Sequence, residues 1–354
     1  MSADVMDAPL IELADDWEAI NAWFLAHDLT DGLPIVPPTQ ARVAAMTDYV
    51  ESTLGWKAAD VIGTLAPKQG MATVEKIAAN AVMAGCRPEY LPVVIAAVEA
   101  ACTDTFNMHG LLATTWFSGP VIVVNGPITR AIGMNSGVNA LGQGNRANAT
   151  IGRALQLVVR NVGGGKPGEV DRATLGQPGK YTFCFAEDEV GSPWEPLHVT
   201  RGLDAEQSAV TLFAGEAPRG LADQLSRTAD QLATTFAACL RTVWHPKAVM
   251  AFDALVVVSP EHARVFRESG WSKERLVDEL GARLQIPGED LVRGAGGMAE
   301  GLDEAFRDSI VPKFRDGGLL IAHAGGGAGF FSAIVGGWAS GKLGSDPVTH
   351  PVGT

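Results

Sequence analysis

Two carboxylates and a histidine follow a short apolar run in the middle of the chain. Residues 181–186 (YTFCFA) are typical of a buried strand, Glu187 and Glu189 come directly after it, and His198 lies eleven residues beyond Glu187. Carboxylates and imidazoles at the end of a strand are well placed to transfer protons near neutral pH. We therefore predict that Glu187 and His198 are catalytic. The alternative is an ordinary solvated acidic loop.

A cysteine between two predicted helices is the candidate nucleophile. Cys86 stands beside Arg87 and just before the start of the second helix. A helix N-terminus and a neighbouring cation both lower the pKa of a thiol, and the thiolate is the nucleophilic form. We predict a catalytic role for Cys86, with packing as the alternative because free cysteine is commonly buried. The cysteines expected in the core are Cys102, Cys184 and Cys239.

A glycine-rich loop near the C-terminus follows the apolar run 319–322. The segment 323–329 (HAGGGAG) is expected to lead into a helix over 330–335, whose free N–H groups would favour an anion. His323, at the end of the strand, is predicted to be catalytic. The residues predicted to bind substrate on this loop are Gly326, Gly327, Gly329 and Ser332. The loop matches neither a Walker motif nor GxGxxG, and a tight turn without a ligand is the alternative.

A long amide-rich loop precedes a predicted helix over 149–162. Asn135, Asn145 and Asn148 supply neutral donors, and Arg146 adds one cation that could bind a carboxylate or phosphate through two hydrogen bonds. We predict that these four residues bind substrate and that Asn148 caps the helix. The alternative is that the asparagines only cap and turn the chain.

Composition excludes several classes of protein. The 354 residues carry a net charge of −13, with no run of Lys or Arg, which disfavours nucleic acid and anionic membranes. The cysteine and histidine spacing matches no metal motif, and no cofactor motif is recognised. The acidic N-terminus is unlike a signal peptide. The uncharged segment 319–340 is long enough to span a membrane, but its six glycines favour a strand, a loop and a short helix instead. We expect a cytoplasmic protein.

Alternating helical and strand patterns predict an α/β fold with two lobes and a cleft between them. The lobes, residues 1–205 and 206–354, would each hold buried, mostly parallel strands flanked by helices. The predicted helices cover residues 15–27, 40–50, 74–84, 89–101, 149–162, 221–240, 260–267, 272–284 and 330–335. The predicted strands cover residues 120–125, 181–186, 197–200, 254–258 and 319–322.

Several phrases of the sequence resemble those of a bacterial protein family. They are TDGLPIVPPT at 30–39, TVEKIAANAVMAGCRPEYLPVV at 73–94, NRANATIGRAL at 145–155, AEDEVGSPWEPLH at 186–198, SPEHARVFRESGWSK at 259–273 and HAGGGAGFFSAIVGGW at 323–338. The family is similar to proteins named for a selenocysteine-Gly-Ser-Cys motif, which in turn resemble substrate-binding selenoproteins of reductive amino-acid cleavage. This chain has no Cys-Gly-Ser-Cys, so the resemblance implies a bacterial enzyme without implying selenol or dithiol chemistry.

These patterns together favour an enzyme, a lyase or hydrolase, acting on a small molecule with a carboxylate or acyl group. The two loops would bind the substrate, and the acid–base residues would move protons. One alternative is a thiol-dependent reductase that uses Cys86 and a partner protein. Another is a non-catalytic ligand-binding subunit. All three functions are compatible with a homo-oligomer or with a partner subunit.

Overall fold

The structure, a computed structural model, describes residues 10–353. Residues 1–9, which carry part of the prediction that the chain has no signal peptide, lie outside this range. Across the described residues the chain combines helices with one large sheet and two small ones, so the predicted α/β fold class is confirmed.

Helices begin and end largely where local capping signals predict. The Thr73 hydroxyl accepts a hydrogen bond from the Lys76 N–H at the start of α3, and Gly85, with φ +93°, ends that helix. The helices are α1 Trp17–Ala26, α2 Gln40–Leu54, α3 Val74–Ala84, α4 Leu91–Ala101, α5 Met108–Ala113, α6 Pro127–Ala131, α7 Arg146–Asn161, α8 Leu197–Thr200, α9 Ala229–Leu240, α10 Pro260–Glu268, α11 Lys273–Arg283 and α12 Gly288–Leu291.

The strands include at least part of each apolar run predicted as a buried strand, at 120–125, 181–186, 254–258 and 319–322. They are β1 Val61–Leu65, β2 Gly70–Thr73, β3 Gly119–Asn125, β4 Cys184–Ala186, β5 Ala209–Gly215, β6 Arg219–Ala222, β7 Phe252–Val258, β8 Gln285–Pro287, β9 Ile310–Pro312, β10 Leu319–His323, β11 Phe331–Ala339 and β12 Val348–Pro351.

Eight strands form one sheet in the order β10-β7-β11-β5-β3-β4, with β6 also paired to β11 and β12 to β5. The pairs β7–β10 and β3–β4 are parallel, and β11 and β5 join them through antiparallel pairing. Strands on both sides of position 205 therefore share the sheet. The division into lobes at 205/206 stays a prediction.

The sheet curls around an inner cluster of apolar side chains that six of its strands contribute. The inner cluster is Val121, Val123, Phe185, Phe213, Leu255, Val257, Leu320, Ala322 and Val335. Intervening residues of the same strands belong to other core clusters: Ile122 lies in the cluster that includes α3, α4 and α7, whereas Val256 lies in the cluster that includes α9, α10 and α11. The Asp188 N–H donates to the His323 carbonyl at 2.7 Å, so the end of β4 meets the end of β10.

Two predicted elements between residues 197 and 240 differ in the structure. Residues 197–200 are helical rather than extended, because the short run LHVT follows Pro196 and forms one turn, α8. The predicted helix 221–240 begins only at Ala229, since residues 219–222 pair with β11 as strand β6. A run of only four residues shows no clear hydrophobic period, so its sequence does not distinguish a helical turn from a strand.

No single helix in residues 10–353 is long and apolar enough to cross a membrane. Only α3 and the segment Pro88–Ala101 together reach the necessary length and composition, and a bend of 120° separates them.

Candidate functional site

The glycine loop leads into a strand, not the helix that the sequence predicts. Residues 331–339 form β11, which pairs with β7 along one edge and with β6 and β5 along the other. Pairing on both edges overrides the ambiguous local pattern of FFSAIVGGW, because each backbone group finds a partner in the sheet. The helix N-terminus on which the predicted anion site depends is therefore absent from this loop, and anion binding by the loop stays a prediction.

Both predicted binding loops nevertheless line one cavity of about 390 Å³. Its walls come from residues 139–142 of the amide-rich loop and from the glycine loop, where Gly325, Gly326 and Gly329 border it. The loops are tied together by the Gly325 N–H, which donates to the Ser136 carbonyl at 2.9 Å. A Cβ at position 326 would lie 2.9 Å from Val138 Cγ2, so glycine permits this close approach.

The cavity has serines at the ends of two strands. Ser259 follows β7, Ser332 is the second residue of β11, and both border the cavity. The sequence therefore predicts three of the lining residues, namely Gly326, Gly329 and Ser332. Gly327 is not among the lining residues, and a Cβ there would meet nothing within 4 Å.

The amides predicted to bind substrate hold their own loop together. The Asn148 side chain is buried; it accepts from the Asn135 N–H at 3.0 Å and donates to the Asn135 carbonyl at 2.8 Å. Asn145, not Asn148, caps α7, accepting from the Asn148 N–H at 3.0 Å and donating to the Gly133 carbonyl. Arg146 is exposed, and its Nε donates to the Gly85 carbonyl at 2.9 Å. None of the four lines the cavity, and substrate binding by them stays a prediction.

A serine–histidine pair lies at the cavity wall. Ser332 Oγ is 2.7 Å from His262 Nδ1 on α10, and it also accepts a hydrogen bond from the Ser259 N–H at 3.2 Å. His262 Nε2 is 3.1 Å from the main-chain carbonyl of Asp223. Because that carbonyl only accepts, Nε2 carries the proton, and the neutral imidazole receives the Ser332 hydroxyl proton at Nδ1.

The surroundings of His262 favour its neutral form. Its ring is buried between Phe236 and Phe330, with ring centroids 5.4 and 5.9 Å away. Burial lowers the pKa of His262 below its ordinary value, and the nearby Asp223 and Glu261 only partly oppose this effect. An uncharged imidazole that accepts a serine proton is the arrangement required of a general base.

A compact turn holds the Asp223 carbonyl in place. The Asp223 carboxylate accepts hydrogen bonds from the Ser226 N–H at 2.9 Å, the Ser226 hydroxyl at 2.8 Å and the Thr235 hydroxyl. Partial burial raises the pKa of this carboxyl, but these hydrogen bonds outweigh it and bring the pKa to about 2. The turn is thus rigid at neutral pH and orients His262 through its backbone.

The predicted acid–base residues gather elsewhere, where β3, β4 and β10 end near α8 and α11. Glu187 is buried; its Oε2 accepts from Asn125 Nδ2 and the Leu197 N–H, both at 2.7 Å. Its Oε1 accepts from the His323 N–H at 3.1 Å and lies 3.7 Å from Lys273 Nζ. The structure therefore brings Glu187 and His323 together, as parts of one charged cluster that does not line the loop cavity.

The two predicted catalytic histidines lie in the same region and are almost completely buried. His323 Nδ1 is 3.0 Å from the Asp188 carbonyl and must donate to it, which leaves the Nε2 lone pair without a partner in residues 10–353. His198 Nδ1 is 3.9 Å from Glu189 Oε1, and neither ring nitrogen of His198 has a hydrogen-bond partner in the part of the chain described. Proton transfer by these residues stays a prediction.

The environment of Cys86 opposes the expected activation. The thiol is buried, with 8% of the residue exposed, and burial raises its pKa to about 12 although Thr150, Arg146 and Arg153 act in the opposite direction. The predicted lowering of this pKa is therefore wrong, because the cost of burying a thiolate exceeds the help from nearby cations.

We expect native Cys86 to resist alkylation. At pH 7.5 iodoacetamide should modify half-buried Cys239 first and leave the buried Cys86 and Cys184 largely unlabelled until the protein unfolds. Mass spectrometry of timed digests, with a sample in 6 M guanidinium as the control, measures the order. Labelling of native Cys86 as fast as Cys239 would contradict the buried position.

Sequence reasoning missed His262, Lys273 and Asn125. A local signal existed for His262: the strand end and cap Ser259-Pro260 open a helix, and that histidine lies in its first turn. Nothing local indicates which distant side chain it meets, because its partner Ser332 is 70 positions away.

Between residues 10 and 353, no three or more His, Cys, Asp or Glu side chains are arranged to hold a metal ion. Comparison of this chain with protein-family models and with curated protein sequences gave no match.

Proposed function

We propose that this protein is a hydrolase of small acyl compounds, with Ser332 as nucleophile and His262 as general base. The observation that carries the proposal is the 2.7 Å contact between Ser332 Oγ and His262 Nδ1 at the wall of the loop cavity. The main-chain carbonyl of Asp223 would orient His262, the role that a carboxylate has in the Ser-His-Asp triad of serine hydrolases.

The reaction follows from this proton arrangement. Ser332 Oγ attacks the acyl carbon while its proton passes to His262 Nδ1, forming a tetrahedral intermediate. His262 then gives the proton to the leaving group, and the acyl–serine ester remains. Water attacks the ester with His262 again as base, which releases the acid and restores Ser332. Main-chain N–H groups of the glycine loop are the candidate donors to the oxyanion, since glycine leaves them uncovered.

The size and position of the cavity support a small substrate. A volume of about 390 Å³ lies near the lower end of ordinary ligand pockets. The lining contains apolar Val257, Leu141 and Phe331 together with the two serines and no charged side chain. An uncharged acyl group therefore suits the wall better than a polyanion.

The buried state of Cys86 favours this hydrolase over the thiol-dependent reductase. A thiol with a pKa of about 12 holds almost no thiolate at neutral pH. The acid–base lyase that uses Glu187 is also less favoured for the loop cavity, because Glu187 is not among the residues that line it.

Labelling with a fluorophosphonate probe tests the assignment, because these probes react with activated serines. We expect one adduct, on the peptide containing Ser332, and its loss in Ser332→Ala. His262→Ala should slow labelling by about 10²-fold, the usual contribution of a general base. Ser52→Ala, which removes an exposed hydroxyl on α2, serves as the control and should label normally. An adduct only on Ser259, or none in folded protein, would refute the proposal.

A further inference from the structure

A second cavity, of about 640 Å³, borders β10. It is bordered by the segment 193–201, the start of α11 and residues 319–321, and it shares no lining residue with the loop cavity. Apolar side chains form much of its wall, including Trp194, Leu197 and Val277. It has the size of cavities that hold small molecules.

Lys273 is one of the residues that line this second cavity. Lys273 is the first residue of α11 and is only 8% exposed. Its Nζ donates to the Ile321 carbonyl at 3.0 Å and lies 3.7 Å from Glu187 Oε1. The lysine thus has one neutral acceptor and one carboxylate, so it is held in place instead of extending into water.

Two physical effects favour an uncharged amine at this position. Burial lowers the pKa of Lys273, and the carboxylates of Glu187 and Glu195 only partly oppose the shift. Lys273 is also the first residue of α11, and the positive end of a helix disfavours a nearby cation. A larger share of Lys273 is therefore unprotonated and nucleophilic at neutral pH than of an exposed lysine.

Glu187 is a fixed proton acceptor beside this amine. Three donors on β3, α8 and β10 hold its carboxylate, namely Asn125 Nδ2 and the N–H groups of Leu197 and His323. These hydrogen bonds hold the carboxylate close to Lys273. No entropy is therefore lost in ordering the Glu187 side chain during a reaction.

We propose that Lys273 binds a small carbonyl compound covalently, as a Schiff base, in the second cavity. The Lys273 ammonium first gives a proton to Glu187, and the neutral amine then adds to the carbonyl carbon. Glu187 returns this proton to the alkoxide and takes one from the nitrogen, which leaves a neutral carbinolamine. Glu187 then protonates the departing hydroxyl, so one ammonium group and one carbonyl compound yield one iminium and one water, and the carboxylate is restored. No oxidant or reductant takes part.

The charges around the second cavity favour an uncharged carbonyl compound over a keto acid. Glu195, Glu274 and Asp278 border it, against the two cations Lys273 and Arg201. Arg201 is already engaged, with Nε on Thr349 Oγ1 and a second nitrogen on the Pro347 carbonyl, both at 2.8 Å. An aldehyde or ketone without a carboxylate therefore meets less repulsion than an anion.

Reductive trapping tests this assignment directly. The full-length protein is incubated with butanone and sodium cyanoborohydride at pH 7.4, and the alkylated lysines are mapped by mass spectrometry. We expect Lys273 to be modified at least about 10-fold faster than Lys68, because burial lowers the pKa of Lys273 and so raises the share of its uncharged, nucleophilic amine. Lys68 is a matched internal control, since it pairs with Glu169 on the surface as Lys273 pairs with Glu187 inside.

One variant and one change of carbonyl compound separate the proposed chemistry from non-specific labelling. Val277→Phe, which fills the cavity without touching the amine, should reduce trapping at Lys273 and leave Lys68 unchanged. Pyruvate in place of butanone should trap more slowly. Modification of Lys273 no faster than Lys68, or no modification, would overturn the proposal. Fluorophosphonate labelling of Ser332 should be unaffected by the adduct, so the two proposals succeed or fail separately.

Discussion

Replacing Ser332 with alanine is expected to lower kcat/KM for acyl hydrolysis by at least about 10³-fold, the scale of losses on removing a catalytic serine. The variant loses the nucleophile and keeps the cavity. The Ser332 side chain is small and faces His262, so the fold should survive its truncation. Hydrolysis of small p-nitrophenyl esters by purified protein measures the effect, and thermal unfolding verifies the fold.

The pairing of Ser332 with His262 predicts how two substitutions combine. If the residues act as one unit, the double variant Ser332→Ala/His262→Ala should be no less active than the Ser332→Ala variant alone. If the two substitutions instead lower kcat/KM by independent, additive amounts, the hydrogen bond between Ser332 and His262 has no catalytic role.

The same pair sets the pH dependence of kcat/KM. Only neutral His262 can accept the serine proton, and burial holds its pKa below the ordinary value of about 6.5. The rate should therefore be constant above neutral pH and fall as the pH drops through this lowered pKa. A rate that rises on acidification would be incompatible with His262 as the base.

Replacing Glu187 with alanine is expected to destabilise the protein by about 3–5 kcal/mol, the usual cost of breaking a buried ion pair. The carboxylate accepts hydrogen bonds from Asn125, Leu197 and His323, and Lys273 is its partner cation. Its loss would leave several buried donors without an acceptor and one buried amine without a counter-charge. Guanidinium unfolding followed by circular dichroism gives the change in unfolding free energy.

Glu169→Ala is the matched control for this stability prediction. Glu169 also pairs with a lysine, Lys68, but both side chains are more than half exposed. An exposed pair of this kind contributes less than about 1 kcal/mol. Similar losses in the two variants would mean that the buried position of Glu187 has no special energetic role.

Local sequence signals predicted the framework around both cavities. The apolar runs of β3, β7 and β10 are strands, because continuous burial needs continuous apolar side chains. The cap Thr73 and the stop Gly85 delimit α3 as expected. The two loops predicted to bind substrate do line one cavity, although not through most of the residues singled out.

The errors occur where local signals are weakest. β11 was predicted as a helix because a short apolar run after a glycine loop has no decisive period, and the neighbouring strands decide its conformation. Cys86 was assigned a low pKa from its position before a helix. Its burial, which depends on the packing of α3 and α7 around it, reverses the direction.

The sequence alone determined the helix caps, the buried strands, the acidic surface and the two loops, because each depends on residues adjacent in the chain. Only the tertiary structure decided which distant groups meet. The sheet brings Ser332 to His262 and Glu187 to Lys273, although each pair is separated by many elements. The physical reason is that strand pairing and the curl of the sheet, which no local pattern encodes, set the distances on which proton transfer and ion pairing depend.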